Sequence, residues 1–301
     1  MHWLDRLSLR FLKRTAIFEQ GWGELEPLEP RARDVLVERE AAPLSFDWSA
    51  PRRERGLLIQ DGTATSPLTD LPASAATIHV RRVLTPRVPR RRVVVPPSWG
   101  DAGYGPRMWL TGALVAQGLE PWLLEGAYFG ARAAPLDRVE DFVRMGLTHV
   151  DETRALLSTH RAEGVPTALA GYSMAGQLGS IAVATLPFEV PVIAIAAPPT
   201  AATVFCEGPL SSQVKWSALG ADARERLPSM LARVSILDVP PPKSARRTVV
   251  INDGDGIVSP RATEKVAAHW NVEPKRVKSG HLGAYTLERR ALQRLISEAL
   301  L

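Results

Sequence analysis

The stretch Val165-Pro166-Thr167-Ala168-Leu169-Ala170-Gly171-Tyr172-Ser173-Met174-Ala175-Gly176 constrains the fold of this chain more than any other. A short apolar run ends at a serine with small residues, Gly171 and Ala175, two positions away on either side, and passes at once into a helix-compatible segment. A strand that turns directly into a helix forces the turning residue into a strained conformation, and only small neighbours let the two backbones pass. Such a turn lifts the Ser173 hydroxyl off the sheet. It also aims the following N–H, that of Met174, at an oxyanion formed on the attacked carbon. Ser173 is therefore the expected nucleophile. A serine that merely caps a helix fits the same pattern, so the flanking sequence must supply a sheet and suitable partners.

Short runs rich in Val, Ile and Leu at 78–84, 92–96, 121–125, 167–170, 190–196 and 248–252 read as strands, with a weaker last strand at 275–278 and another near 56–60. Helical stretches at 107–117, 136–163, 175–186, 260–270 and 282–300 lie between most of them. The second is best patterned, with Val139, Phe142, Val143, Met145, Gly146, Val150, Leu156 and Leu157 at near-helical spacing, a stripe read as core and nothing more. Alternating strands and helices predict an α/β fold, a mainly parallel central sheet with helices on both faces, in one domain of 301 residues. Residues 1–77 read as an irregular N-terminal wrap that includes an amphipathic helix. Residues 197–246 are too long for an ordinary connection and read as an inserted lid or cap.

The single cysteine, Cys206, leaves no internal disulfide or multi-cysteine metal site, and a cytoplasmic setting is expected. No cofactor and no metal are called for. The net charge of +5 comes from scattered arginines, and the one dense run, 87–92, sits between two strands without interleaved aromatics. That is a solvated turn, and no nucleic-acid partner is expected. At the N-terminus Leu4, Leu7, Phe11 and Leu12 alternate with Arg6, Arg10, Lys13 and Arg14. The segment is a poor signal peptide and too short to span a membrane. It packs on the domain surface or makes a weak membrane-surface contact.

A serine hydroxyl needs a general base held in one tautomer by a third group. Of the six histidines, five fall in the amphipathic terminus (His2), in a strand run (His79) or in helical stretches (His149, His160, His269). His281 instead follows the last strand in the loop Lys278-Ser279-Gly280-His281-Leu282-Gly283 and is the expected base. The acid is expected after the preceding strand, where Asp255 is preferred because it lies beyond the strand tip, with Asp253 as its rival. The order Ser173, Asp255, His281 is the one this architecture requires. A second oxyanion donor should come from the loop after 92–96, as the N–H of Trp99 or Ser98 beside that of Met174. Loss of such a donor costs about 3–4 kcal/mol of transition-state stabilisation. An apolar substrate suits the surroundings of Met174, Phe129 and Trp99, while Arg107 or Arg132 is positioned in sequence to meet an anionic head group.

These residues join a longer ordered set: Gly21-Trp22-Gly23, Gly100-Asp101 followed by Arg107, Leu124-Glu125 with Tyr128, Gly130 and Arg132, Phe142 to Gly146, Val204-Phe205 with Glu207-Gly208, Leu210-Ser211 and Trp216, the Asp255 turn, and Gly280-His281 with Ala284-Tyr285. Nearly end to end, the chain resembles the family of α/β-hydrolase domain-containing protein 18. Where that family has Gly-x-Ser-x-Gly-Gly-His, this chain has Ala175-Gly176-Gln177 after Met174. The resemblance implies an α/β-hydrolase fold and a serine hydrolase of ester bonds, with lipid acyl esters as the expected substrates and Ser173, Asp255 and His281 as the triad. Two other readings share the fold: a binding protein that has lost turnover, and an acyltransferase using the same residues.

Overall fold

The computed structural model describes residues 2–12 and 16–301. Its strands are β1 (Asp47–Trp48), β2 (Arg52–Glu54), β3 (Leu57–Thr65), β4 (Thr77–Val83), β5 (Arg91–Val95), β6 (Leu119–Leu124), β7 (Thr167–Tyr172), β8 (Val192–Ile195), β9 (Arg247–Asn252) and β10 (Lys275–Val277). They form one sheet in the order β1-β3-β4-β6-β5-β7-β8-β9-β10, with β2 paired to β3. Pairings from β6 to β10 are parallel. Those among β1 to β4, and between β4 and β6, are antiparallel.

The parallel part is the expected sheet covered on both faces. Every residue of β6, β7 and β8 is buried, as strands under helices on either side must be. The two-residue period of a strand divides their side chains between two cores. Val94 and Leu169 point to one core, shared with the helices Val139–Ala162, Met174–Ala184 and Pro260–His269. Val93, Val95, Ala168, Ala170 and Tyr172 point to the other, where Met108 and Leu110 of the helix Gly105–Thr111 meet Leu292 and Ile296 of Arg289–Leu300.

Parts of the chain differ from expectation. β3 runs well past 60, because Asp61-Gly62, a turn signal in sequence, continues the strand: a Cβ on Gly62 would lie 2.6 Å from the Trp48 ring, so glycine lets that indole lie against the strand. β1 and β2, too short to show a periodicity, pair with β3 as well. The expected final helix is two helices, His281–Thr286 and Arg289–Leu300. At the break the Glu288 carboxylate turns back to accept from the Ser279 N–H at 2.8 Å and from the Ser279 hydroxyl at 2.6 Å.

The N-terminal helix, Trp3–Leu12, docks beside His281–Thr286 with Asp5 and Leu9 buried and Trp3 and Leu7 exposed. Lys13 and Arg14, and the side chains of Arg10, Phe11 and Leu12, lie outside the described residues. Among the described residues no helix is long and apolar enough to cross a membrane.

Candidate active site

The strand order reverses direction between β5 and β7, since β5 leads to β6 on one side and β7 leads to β8 on the other. Loops at the C-terminal ends of the strands diverge there and leave a crevice. Ser173 follows β7 at that point, with φ +57° and ψ −122°. The conformation is one that a non-glycine residue adopts only under strain. It is held by the Ser173 N–H donating to the Ile195 carbonyl at 2.8 Å. The helix that starts at Met174 passes so close to β7 that a Cβ on Gly171 would lie 2.4 Å from the Ala175 carbonyl oxygen, and so close to the segment after β8 that one on Gly176 would lie 2.9 Å from Ala197 Cβ.

His281 opens its helix after β10 and is buried, with Nδ1 2.7 Å from Oδ2 of Asp255. The other Asp255 oxygen, Oδ1, accepts from the N–H groups of Ile257 and Val258, both at 2.8 Å, so the loop after β9 fixes the carboxylate. Asp253, its rival in sequence, is exposed and paired with Arg276 at 2.6 Å. Burial alone would lower the His281 pKa. The Asp255 charge and hydrogen bond, helped by the Asp5 charge, outweigh it and hold the imidazole above its ordinary value.

Three residues that sequence reasoning did not single out support this pair. The Tyr172 hydroxyl donates to the His281 carbonyl at 2.5 Å and accepts from the Asn252 amide at 2.7 Å. Tyr172 immediately precedes the elbow serine and Asn252 ends β9, so strand-end position was the available signal. Asp5 lies far off in sequence yet accepts from the His281 N–H at 2.8 Å. Nothing local marks it.

Ser173 and His281 both open into one cavity of about 480 Å³. Among the described residues no hydrogen bond joins the Ser173 hydroxyl to His281, a contact that commonly tightens only when substrate is bound. Ser98, Trp99 and Met174 line the same space. Pro96 and Pro97 have no N–H, so Ser98 and Trp99 carry the first donors after β5. The Trp99 N–H takes no backbone acceptor among the described residues, and the Met174 N–H opens a helix where no preceding turn supplies one. The Ser98 hydroxyl donates to the Tyr172 carbonyl at 2.8 Å, tying this loop to the elbow strand.

The cavity walls are apolar and come from distant segments: Leu25 and Leu28 from the N-terminal wrap, Met145 and Gly146 from the long helix, Phe205 and Met230 from the stretch between β8 and β9. The stripe on the long helix, expected to be core alone, is therefore also a cavity wall. Half-buried Glu29 and exposed Arg233, paired at 2.9 Å, also line this space.

Three expected substrate contacts are corrected. Arg107 is buried and donates to the carbonyls of Val95 at 2.8 Å, Leu124 at 2.5 Å and Gly103 at 2.7 Å while pairing with Asp101, so it braces the loop that carries Trp99. Arg132 is fully buried, with both terminal nitrogens 2.6 Å from Glu152. Neither can meet a head group, because each guanidinium is spent on carbonyls and carboxylates inside the protein. Phe129 lies outside the cavity wall and packs edge-on against Trp99, with ring centroids 5.7 Å apart.

A parallel sheet of this order, with a strained serine at the strand-to-helix turn of β7 and a histidine and an aspartate on the loops after its last two strands, defines an α/β hydrolase. The sequence agrees. Residues 15–235 match the family described as alpha/beta hydrolase domain containing 18, and the chain belongs to that family. The match includes Ser173 and stops before Asp255 and His281. Among solved structures, the chain is similar to the acetyl xylan esterase of Paenibacillus sp. R4, at a TM-score of 0.62 and 14% identity over 97% of this chain and 99% of that one. Acetyl xylan esterase 1 from Thermoanaerobacterium sp. JW/SL YS485 is similar at a TM-score of 0.61 and 13% identity, with the same coverage. A cold-adapted esterase from an Arctic intertidal metagenomic library matches at 0.58 and 15% identity over 85% of this chain and 100% of that one. At these identities the likeness is one of fold.

Proposed function

We propose that the chain is a serine carboxylic-ester hydrolase that acts on lipid acyl esters through an acyl-enzyme. The observation that carries the reading is that one apolar cavity receives both the strained Ser173 and the Asp255-bonded His281. The ester carbonyl seats against Ser173 Oγ, which attacks it as His281 takes the hydroxyl proton. Asp255, fixed by two backbone N–H groups, keeps the Nδ1 proton in place and stabilises the imidazolium. The N–H groups of Met174 and Trp99 face the oxyanion, and His281 returns the proton to the departing alcohol. Water then attacks the acyl carbon as His281 takes its proton, and His281 passes that proton to Ser173 Oγ as the serine–acyl bond breaks and the acid leaves. The apolar walls suit an acyl chain, because a pocket of this size gains its affinity mainly by removing hydrocarbon from water.

The test is labelling by a fluorophosphonate probe, wild type against Ser173→Ala and His281→Ala, followed by hydrolysis of p-nitrophenyl esters. Labelling of the wild type, lost in both variants with circular dichroism unchanged, is the expected result. A folded wild type that never labels sinks the reading and returns the chain to the binding-protein class.

A further inference from the structure

The N-terminal helix touches the site at one point. Asp5 is fully buried, with no exposed surface. Its Oδ2 accepts from the N–H of His281 at 2.8 Å and from the N–H of Gly256 at 2.8 Å, and its Oδ1 accepts from the N–H of Leu282 at 3.0 Å. One carboxylate thus bridges the first turn of the helix that carries the base and the residue immediately after the acid, Asp255. The segment before it adds a second tie, the His2 N–H donating to the Gly254 carbonyl at 2.9 Å. Gly280 is shaped to this contact, since a Cβ there would come within 2.3 Å of Asp5 Oδ2.

We propose that Asp5 is a positioning residue for His281: its carboxylate clamps the backbone of the base's helix to the backbone of the acid's loop and fixes the imidazole against Asp255. Bonds from backbone N–H groups to an ionised carboxylate are roughly twice as strong as neutral ones, and Asp5 makes them to both loops at once. The direct His281–Asp255 bond spans two segments that leave the sheet separately, after β9 and after β10. Their backbones are joined directly by the Gly254 N–H, which donates to the Ser279 carbonyl at 3.2 Å, and Asp5 adds the ties at Gly256, His281 and Leu282, closer to the acid and the base. The consequence for catalysis rests on the ester-hydrolase reading, whereas the effect on the imidazole does not. The groups that face His281 are Asp255 from the loop after β9, Tyr172 from β7 and Asp5 from the N-terminal helix, with His2 beside Gly283 of its own helix. Burial keeps Tyr172 protonated well above its ordinary range. Of these groups, Asp255 and Asp5 raise the His281 pKa against the effect of burial.

The experiment uses the full chain with Asp5→Asn and, separately, Gly280→Ala. The Asn variant removes the charge with little change of shape. The Ala variant keeps the charge but displaces it. His281 is titrated by NMR through its imidazole 13C–1H signals, and Ser173 labelling by a fluorophosphonate is timed across pH. In Asp5→Asn the imidazole midpoint falls, the rising limb of the labelling profile moves to lower pH, and the plateau rate drops by about ten- to a hundredfold, the scale of a small displacement of a catalytic group. Gly280→Ala lowers the plateau in the same direction. An imidazole midpoint unmoved by Asp5→Asn overturns the proposal, as does labelling at the wild-type rate in both variants. A wild type that does not label defeats the hydrolase reading alone, and the NMR midpoint still decides the role of Asp5.

Discussion

Gly146 sits on the cavity wall, inside the helix Val139–Ala162, with no atom within 4 Å of the position a Cβ would occupy. Gly146→Leu therefore fills the cavity without forcing a neighbour aside, and its four added carbons take the place of about as many carbons of a bound acyl chain. Each methylene withdrawn from water is worth about 0.8 kcal/mol, so the longest chain the wild type accepts should lose about 3 kcal/mol, on the order of 200-fold in kcat/KM. Short esters that never reach this wall should keep the wild-type value. Removing a glycine from a helix interior also stabilises the fold by roughly 0.5–1 kcal/mol, so the loss cannot be assigned to unfolding. The assay is a series of p-nitrophenyl esters from acetyl to palmitoyl, with a thermal melt of each protein. An equal fall at every chain length, or no change in the preferred length, would refute the assignment of this cavity to the acyl chain.

Other expectations follow from the buried charges. Arg132→Met leaves Glu152 as an unpaired buried carboxylate and should cost about 3–5 kcal/mol in thermal unfolding, while the preference between anionic and neutral esters stays unchanged; a changed preference would restore Arg132 to the binding site. Burial, with Arg107 and Arg132 nearby, pushes His149 down from 6.5 to about 3, and neither of its ring nitrogens has a hydrogen-bond partner among the described residues. Between those values the unfolded chain binds a proton that the folded chain refuses, so stability falls as pH drops through the window. His149→Leu should flatten that acid-side slope, measured as urea midpoints at pH 7 and pH 4. An unchanged difference between the two midpoints would show that His149 is not the group responsible.

What could be read from the residues alone was local. The elbow announces itself because a strand meeting a helix without a loop demands small residues at fixed offsets, and Gly171 and Ala175 meet that demand: a Cβ on Gly171 would lie 2.4 Å from the Ala175 carbonyl oxygen. The central strands were legible because burial on both faces leaves unbroken apolar runs, and the order of Ser173, Asp255 and His281 follows from strand order. Tertiary structure decided the rest. Asp255 rather than Asp253 faces the imidazole because the turn after β9 swings the first inward and leaves the second on Arg276. Arg107 and Arg132 look like substrate contacts in sequence, but their long side chains found carbonyls and carboxylates inside the protein that no sequence window contains. The wall built by Leu25, Met145 and Phe205, and the reach of Asp5 to His281, unite segments far apart in sequence. Periodicity identifies which face of an element is apolar, whereas only packing determines whether that face meets another side chain or encloses a space.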